Sequence, residues 1–410
     1  MKNFEIPVYY KSSLIQKIKE LRKSKDHYKK DFTPTILEFG AIDIYLARHF
    51  GFCYGVENAI EIAYKTIEEN PDKKIYLLSE MIHNQGVNAD LQANGVDFIM
   101  DSFGNQIIDW DEISSNDIVV IPAFGTTLET EKILKERNID TLQYNTTCPF
   151  VEKVWKKSNS LGTEDFSVII HGKANHEETK ATFSHAKENS PSVIVRDLEE
   201  TKLLSKIILG EIEKNEFYKI FKNKHSINFD VEKDFSKIGV VNQTTMLASE
   251  TEEIANCLKE TMIKKFGGEN LNSHFADTRD TLCYATNDNQ QATIELLKED
   301  VDMAIVVGGY NSSNTSHIVE LLQEKFPTYF ISDQSKIISK DKIQHFDRSV
   351  KEEKITFDYL KQKANIKVVL TSGASCPDSV VEAVLFKLLS FFGKEKSVEE
   401  IINMVIKKYS

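Results

Sequence analysis

Long apolar runs are missing from this sequence of 410 residues. No stretch approaches the ~18–20 apolar residues that cross a bilayer, and the N-terminal segment MKNFEIPVYYKSS lacks the apolar region and cleavage site of a signal peptide. Excess positive charge is also missing, because the formal net charge is −12, which disfavours nucleic-acid binding. We therefore expect a cytoplasmic protein with no membrane and no nucleic-acid partner.

Cysteine is scarce and carries no short-range pairing motif. The sequence has an odd number, five, at wide intervals and without CxxC: Cys53, Cys148, Cys257, Cys283 and Cys376. This pattern argues against a disulfide framework and against a zinc ribbon. Each cysteine is therefore expected to be a core residue, a reactive thiol or a metal ligand.

The composition that remains is that of an ordinary globular protein, with 41% hydrophobic and 28% charged residues. Short apolar runs predict buried strands: KIYLLSEMI, DIVVIPAF, FSVIIHG, KIGVVNQ, MAIVVGGY and IKVVLTSG. Between them lie longer amphipathic segments, such as VENAIEIAYKTIEEN and SHIVELLQEKF, that predict helices. This alternation is typical of α/β proteins with parallel sheets.

The motif order indicates an internal repeat. Cys53, Cys148 and Cys283 each open a helical pattern, and polar loops follow them at near-equal intervals, at His83, His176 and Asn314. We predict three α/β units with parallel sheets, arranged pseudo-threefold around a central iron–sulfur cluster. The predicted boundaries are an N-terminal extension at 1–45, units at 46–146, 147–280 and 281–392, an insertion at about 207–235 in the second unit, and a tail at 393–410.

The residue types at these loops favour metal and anion chemistry. Ligands of open α/β sheets bind beyond the carboxyl ends of the strands, where three thiolates can hold three irons of a cubane cluster and leave the fourth open as a Lewis acid. Hydroxyl, amide and imidazole groups suit a diphosphate: His83, His176, Ser312, Ser313, Asn314 and Ser375. The carboxyl group of Glu178 is placed to deliver protons.

At these motifs the chain resembles the 4-hydroxy-3-methylbut-2-enyl diphosphate reductase family. The matching stretches span roughly residues 46–390: GFCYGVENAI, IHNQGVNADLQANGV, TCPFVEKVW, NHEETKAT, NQTTM, DTLCYAT, NSSNTSHIVE and SGASCPDSVVE. The resemblance implies a [4Fe–4S] cluster on Cys53, Cys148 and Cys283, with Glu178 and Thr244 binding the substrate hydroxyl and relaying protons. It further implies two-electron removal of that hydroxyl to give isopentenyl and dimethylallyl diphosphates, the last step of the methylerythritol phosphate route.

Two positions depart from the family pattern. Phe124, in PAFGTT, stands where short-chain members carry a diphosphate-contacting histidine, and Cys376 stands where a small residue is usual. The long N-terminal segment and the 207–235 insertion resemble a longer branch of the family that also tolerates phenylalanine in this loop. Phe124 is therefore kept among the predicted substrate-binding residues.

Simpler interpretations remain open for several residues. His176 with Glu178, and the NSSN loop, could serve only as helix caps, and Cys257 is predicted to be a packing residue. As alternatives to the reductase, the three cysteines could hold the cluster of a non-catalytic sensor or scaffold, or Cys148 and His176 could form the pair of a cysteine hydrolase.

A basic segment runs from Lys11 to Lys30, with eight basic residues against Glu20 and Asp26. It could be a solvated helix face, or it could dock an acidic electron donor such as a ferredoxin or flavodoxin.

Overall fold

The computed structural model describes residues 4–26, 28, 30–141, 143–276, 281–361, 363–393 and 396–409. Its contacts divide the chain into two compact units. The unit formed by 1–57, 83–89 and 284–410 is called the terminal unit, and the unit formed by 58–82 and 90–283 is called the central unit. The pseudo-threefold arrangement and the domain boundaries of the sequence analysis stay predictions.

The described strands, in chain order, are β1 (Thr35–Glu38), β2 (Ile42–Leu46), β3 (Ile75–Leu77), β4 (Val96–Phe98), β5 (Ile118–Val120), β6 (Ser167–His171), β7 (Ser192–Val195), β8 (Ile238–Asn242), β9 (Phe275–Ala276), β10 (Met303–Val307), β11 (Thr328–Ile331), β12 (Lys342–Asp347), β13 (Glu352–Phe357) and β14 (Ile366–Ser372).

The described α-helices are α1 (Ser13–Lys25), α2 (Tyr54–Glu69), α3 (Gln85–Ala93), α4 (Leu128–Glu136), α5 (Pro149–Thr163), α6 (Glu177–Asn189), α7 (Leu198–Ile208), α8 (Lys214–Ile220), α9 (Ala248–Phe266), α10 (Leu271–His274), α11 (Tyr284–Leu296), α12 (Ser313–Gln323), α13 (Asp378–Leu389) and α14 (Val398–Tyr409). Short 3₁₀ turns occupy Val8–Tyr10, Trp110–Glu112, Asp234–Ser236, Gly268–Asn270 and Gln334–Lys336.

The predicted α/β class with parallel sheets is confirmed, because each of the six apolar runs forms a buried strand in a sheet with parallel pairs. In the central unit, β4-β3-β5 and β7-β6-β8-β9 are wholly parallel sheets. In the terminal unit, the order is β1-β2-β14-β10-β11, parallel except for the β1–β2 pair. Such strands are buried on both faces, which explains their continuous apolar sequences.

The N-terminal extension contributes to the terminal unit's sheet. Its strand β2 pairs parallel with β14, with Ile44 opposite Val368, and β1 folds back antiparallel on β2. Leu14, Ile15 and Ile18 of α1 belong to the same hydrophobic core as these strands. The extension is thus an integral part of the terminal unit.

The 207–235 insertion is built around buried aromatic rings. Phe217, Phe221 and Phe235 are fully buried and join the core that packs against β6, β7 and β8. The backbone of Lys224 accepts a hydrogen bond from Ile194 N–H at 2.7 Å, so the insertion also covers the edge of β7. Covering an exposed sheet edge prevents unwanted pairing with other chains.

Candidate functional site

The three predicted cysteine ligands each precede a helix. Cys148 is the N-cap of α5, with Pro149 as the first helical residue, while Cys53 and Cys283 come directly before α2 and α11. A helix N-terminus presents unpaired N–H groups and a partial positive charge. Each thiol therefore lies beside a group that favours an anionic sulfur.

The backbones of the same three cysteines make one repeated contact. Each cysteine N–H donates to the carbonyl of a loop residue that follows a parallel strand: Cys53 to Ala374 after β14 (3.2 Å), Cys148 to Ala123 after β5 (3.0 Å) and Cys283 to Thr244 after β8 (3.3 Å). For Cys148 and Cys283, the partner loop belongs to the preceding unit of the predicted repeat. For Cys53, which is in the first unit, the partner loop belongs to the last unit. The internal repeat inferred from spacing thus has a structural counterpart.

The chemistry of the thiols fits a cationic metal group. Burial raises the pKa of Cys148 to about 12, and the charges of Cys283 and Glu178 add to this effect, while the N–H groups of Phe150 and Val151 oppose it. A thiol with so high a pKa binds as thiolate only where a cation compensates the lost proton. None of the five cysteines forms a disulfide.

No three His, Cys, Asp or Glu side chains in the described ranges are grouped so as to hold a single metal ion. A cubane cluster makes a different demand, because each thiolate binds its own iron and the sulfurs do not converge on one point. Thiol side chains that each precede a helix therefore match the type of ligand that such a cluster uses.

In the central unit, Glu178 and Thr244 form a closed contact. The carboxylate of Glu178 is 1% exposed, and its Oε1 accepts from Thr244 N–H at 2.5 Å while Oε2 accepts from Thr244 Oγ1 at 3.0 Å. Gln243 fixes this loop, because its Oε1 accepts from Thr179 Oγ1 at 3.0 Å and from Lys173 N–H at 3.2 Å. A buried carboxyl and a hydroxyl are thereby joined in one hydrogen-bonded pair.

His176 has both a capping contact and a ring contact. It is the N-cap of α6, and its Nδ1 accepts from Glu178 N–H at 3.2 Å. Because a backbone N–H can only donate, the neutral ring carries its proton on Nε2. The ring of Phe124 packs edge-on against the imidazole at 5.6 Å between centroids. The side chain of Phe124 thus packs directly against the imidazole of His176.

In the terminal unit, the NSSN loop enters α12 through a hydroxyl cap. Ser312 is the N-cap, and its Oγ accepts from Thr315 N–H at 3.2 Å and from Thr315 Oγ1 at 2.9 Å. The capping interpretation is therefore correct for Ser312. With both lone pairs engaged, its O–H is the group left to bind an anion. Ser313, the first residue of α12, is 3% exposed.

Asn314 is buried and has an amide donor that is not used within the described residues. Its side chain is 3% exposed, and its Oδ1 accepts from Ala374 N–H at 3.0 Å. Its Nδ2 is buried without a hydrogen-bond partner among the described residues. Buried polar groups are normally satisfied, so this donor fits a ligand oxygen.

Ser375 and His83 meet through a backbone carbonyl. Ser375 Oγ donates to His83 carbonyl oxygen at 3.1 Å, and Asn84 Nδ2 donates to Ser375 carbonyl oxygen at 2.9 Å. A Cβ at Gly309 would lie 2.2 Å from the same His83 oxygen, so this close approach requires glycine. The hydroxyl proton of Ser375 is thus already engaged by a backbone carbonyl.

The structure divides the predicted site residues between the two units. Six lie in the central unit, namely Phe124, Cys148, His176, Glu178, Thr244 and Cys283, and six lie in the terminal unit, namely Cys53, His83, Ser312, Ser313, Asn314 and Ser375. Sequence reasoning missed Asn289, whose Nδ2 contacts Asn314 Oδ1 at 3.3 Å. It sits inside a helical pattern, where nothing local distinguishes it from a packing residue.

The two remaining cysteines have packing environments. Cys257 lies on α9, with its Sγ 3.5 Å from Ser205 Oγ, as predicted for a packing residue. Cys376 is fully buried, and burial raises the pKa of its thiol well above its usual range. Its protonated thiol points to the carbonyl of Pro377 at 3.6 Å.

The N-terminal extension packs on the loop that carries Cys53. Tyr10 meets Phe52 edge-on with centroids 5.8 Å apart, and Phe4 meets Tyr54 at 5.0 Å. Lys19 Nζ donates to the carbonyl of Phe50 at 2.8 Å and pairs with Asp378 at 2.7 Å. The residues on both sides of Cys53 are thus held from outside the repeat.

Two cations of the basic segment are engaged internally. Besides Lys19, Arg22 is 2% exposed and pairs with Asp31 at 2.8 Å. The exposed cations are Lys11, Lys17, Lys23, Lys25 and Lys30. His27 and Lys29 lie outside the described residues.

Fold and site together define a mixed α/β protein with parallel sheets, three cysteines that each precede a helix, and a buried Glu–Thr pair. The family model described as LytB protein matches residues 44–389, and the chain belongs to the LytB family. Across the described ranges, none of the helices combines the length and apolarity needed to cross a membrane.

Curated relatives carry a shared enzyme name. The 4-hydroxy-3-methylbut-2-enyl diphosphate reductase of Microcystis aeruginosa is 40% identical over 383 residues, which covers 93% of this chain and 90% of the relative. The protein of the same name from Prochlorococcus marinus subsp. pastoris is 42% identical over 381 residues, covering 93% and 91%.

Two solved structures share the fold. One, the E-1-hydroxy-2-methyl-but-2-enyl-4-diphosphate reductase from Plasmodium falciparum, aligns with a TM-score of 0.61 at 22% identity and covers 90% of this chain and 99% of that one. The other, (E)-4-hydroxy-3-methyl-but-2-enyl diphosphate reductase, described as the terminal enzyme of the non-mevalonate pathway, aligns with a TM-score of 0.51 at 23% identity and covers 85% and 99%.

Proposed function

We propose that this chain is an oxidoreductase that removes the hydroxyl group of 4-hydroxy-3-methylbut-2-enyl diphosphate, in the last step of the methylerythritol phosphate route. Two electrons and two protons enter, the C–O bond breaks, water leaves, and isopentenyl or dimethylallyl diphosphate remains. The relatives' shared name supports an enzyme over a non-catalytic scaffold. The observation that carries the proposal is the buried Glu178–Thr244 pair.

Cys53, Cys148 and Cys283 are the residues that would hold the [4Fe–4S] cluster. When bound, the cluster would relay electrons from an external reductant and offer an open iron that acts as a Lewis acid toward the hydroxyl oxygen. The helix N-termini and the high pKa of the Cys148 thiol suit ligation by a cationic group. The cysteine hydrolase alternative needs a reactive Cys148 thiolate, which burial disfavours.

The protein's own chemical task is to move a proton to the departing oxygen. When Glu178 is protonated, it can donate to Thr244 Oγ1, and the threonine hydroxyl can donate its own proton onward. The 3.0 Å contact between the two groups permits this transfer. The Thr244 N–H bond to Oε1 keeps the carboxyl oriented during the exchange.

Hydroxyl, amide and imidazole donors would bind the diphosphate group of the substrate. In the terminal unit, Asn314 Nδ2 and the Ser312 hydroxyl would donate to this group, with His83, Ser313 and Ser375 beside them in the chain or in contact with them. In the central unit, the Nε2–H of His176 is a donor of the same kind. Donors of these types offset the cost of desolvating an anion.

The cluster assignment is tested by the iron content and absorption spectrum of anaerobically purified protein, alongside turnover with a small chemical reductant. We expect about four irons per chain, and loss of both iron and turnover in Cys53→Ser, Cys148→Ser and Cys283→Ser. Cys257→Ser is the matched control and should retain both. Retention of a full cluster in Cys283→Ser would overturn the assignment.

We also propose that the exposed cations of the basic segment dock an acidic electron donor, a ferredoxin or flavodoxin. Lys17, Lys23 and Lys25 lie on α1 with exposed side chains, and complementary charge mainly accelerates encounter. Reversing all three to glutamate should slow reduction by the protein donor and leave turnover with the small reductant unchanged.

Lys19 is the control for this docking proposal, because its ammonium is used inside the protein. Lys19→Met should reduce turnover with both donors alike, through a loosened Cys53 loop. Equal loss with both donors in the triple glutamate variant would assign the segment a structural role.

A further inference from the structure

We propose that Asn289 is a positioning residue, which fixes the amide of Asn314 with its NH₂ group toward the diphosphate. This inference rests on the proposed function, in which Asn314 binds that group. Asn289 lies on α11 and is 5% exposed. Its side-chain amide contacts Asn314, and it acts through that residue.

The orientation of the Asn314 amide follows from its oxygen. Oδ1 accepts from Ala374 N–H at 3.0 Å. Because a backbone N–H can only donate, the atom facing it must be the oxygen of the amide. Asn289 Nδ2 donates to the same oxygen at 3.3 Å, so a second donor reinforces the same orientation.

This orientation determines the environment of the other amide atom of Asn314, Nδ2. With both donors on Oδ1, Nδ2 is left buried and without a partner in the part of the chain that the structure describes. A buried NH₂ group without an acceptor is unfavourable unless a ligand supplies one. A diphosphate oxygen is such an acceptor, and a flipped amide would instead present a lone pair that repels it.

Asn289 lies in a packed environment. Its backbone carbonyl accepts from Thr293 Oγ1 at 2.7 Å, and the residue is buried on α11, which packs along α12. A donor at this place reinforces the amide orientation that Ala374 N–H imposes, whereas an acceptor there opposes it. The group at position 289 therefore supports or weakens the presentation of Asn314 Nδ2 to the ligand.

The test measures the affinity of the cluster-loaded enzyme for inorganic pyrophosphate by anaerobic calorimetry. Asn289→Ala should weaken binding about threefold to tenfold, the effect of one lost hydrogen bond. Asn289→Asp should weaken it more, about 30-fold or beyond, because its carboxylate accepts from Nδ2 and turns the amide around. Substrate turnover should show a raised KM with kcat nearly unchanged.

Two controls separate positioning from charge and folding. Asn287→Asp places the same charge on the same helix at an exposed position and should change affinity less than twofold. In an Asn314→Ala background, both Asn289 substitutions should lose their effect, because their route of action is gone. Melting temperatures identify any variant that fails to fold, and the milder Asn289→Ala then carries the test.

Persistence of the full Asn289→Asp effect without the Asn314 side chain would overturn the inference, as would an Asn287→Asp effect of equal size. If Asn314→Ala weakens pyrophosphate binding and the Asn289 variants do not, the inference alone fails. If Asn314→Ala leaves pyrophosphate binding unchanged, the proposed diphosphate site fails and the inference falls with it.

Discussion

Glu178 of the central unit and Asn314 of the terminal unit differ in how their buried polar atoms are satisfied. In the central unit, both oxygens of Glu178 are engaged by Thr244. In the terminal unit, Asn314 Nδ2 has no partner among the described residues. The first arrangement is complete without substrate, whereas the second would be completed by the proposed ligand. The comparison predicts that a change at Glu178 affects kcat and a change at Asn314 affects KM.

The largest effect is expected for Glu178→Gln. The amide keeps the size of the carboxyl group and a hydrogen bond to Thr244 but cannot supply a proton. Turnover should fall about 10²–10⁴-fold, the usual contribution of general acid catalysis, with iron content and pyrophosphate affinity retained. Near-normal kcat with an intact cluster would show that another group, such as the bound diphosphate, is the acid.

Asn314→Ala should give the opposite kinetic pattern. It removes one hydrogen bond to a charged group, worth about 1.5–3 kcal/mol, so pyrophosphate affinity should drop about 10- to 100-fold. At saturating substrate, kcat should stay within about threefold by the same reasoning, because the reacting hydroxyl is not touched. A fall in kcat at unchanged KM would remove the distinction between the units.

His176 is the residue that sharpens the comparison, since it lies in the central unit and is proposed to bind diphosphate. His176→Phe removes both the cap of α6 and the Nε2 donor, whereas His176→Asn keeps a good capping group. If the imidazole binds substrate, KM should rise about tenfold in both variants, the loss of one hydrogen bond. A raised KM in His176→Phe alone, together with a lower melting temperature, would show that His176 serves only as a helix cap.

The smallest effect is expected for Ser375→Ala. The hydroxyl already donates to His83 carbonyl oxygen, so binding a diphosphate exchanges one hydrogen bond for another. The net change should be a KM within about threefold of the unmodified enzyme. A tenfold rise, measured beside Asn314→Ala, would show that Ser375 is a primary ligand of the anion.

The local sequence was sufficient to predict the buried strands of the repeat and the cysteines that precede helices. Both features depend on residues that are adjacent in the sequence. The pairing of β2 with β14 was not predictable in this way, since it joins Ile42–Leu46 to Ile366–Ser372. The hairpin of β12 and β13 was missed because its outer strand is largely exposed and has no buried face to impose a periodicity.

The candidate site likewise has features that the local sequence predicts and features that depend on tertiary packing. Residue types at loop positions predicted which side chains to examine, and the resemblance assigned their roles. The contact of Asn289 with Asn314 and the ring contact of Phe124 with His176 depend on how separate helices and loops pack. Neither contact could be predicted from the spacing of the residues in the sequence.

The hydrogen bonds from the cysteine N–H groups to loop carbonyls are expected to form in a definite order while the chain is being synthesised. Only short stretches of chain separate Ala123 from Cys148 and Thr244 from Cys283, so these contacts can form while the ribosome is still extending the chain. Cys53 emerges early, but its partner Ala374 is made near the end. The first cysteine to be translated is therefore the last to be fixed in place, and until then its thiol is exposed to oxidants and to loosely bound metals. Assembly of the proposed iron–sulfur cluster is accordingly expected to be post-translational.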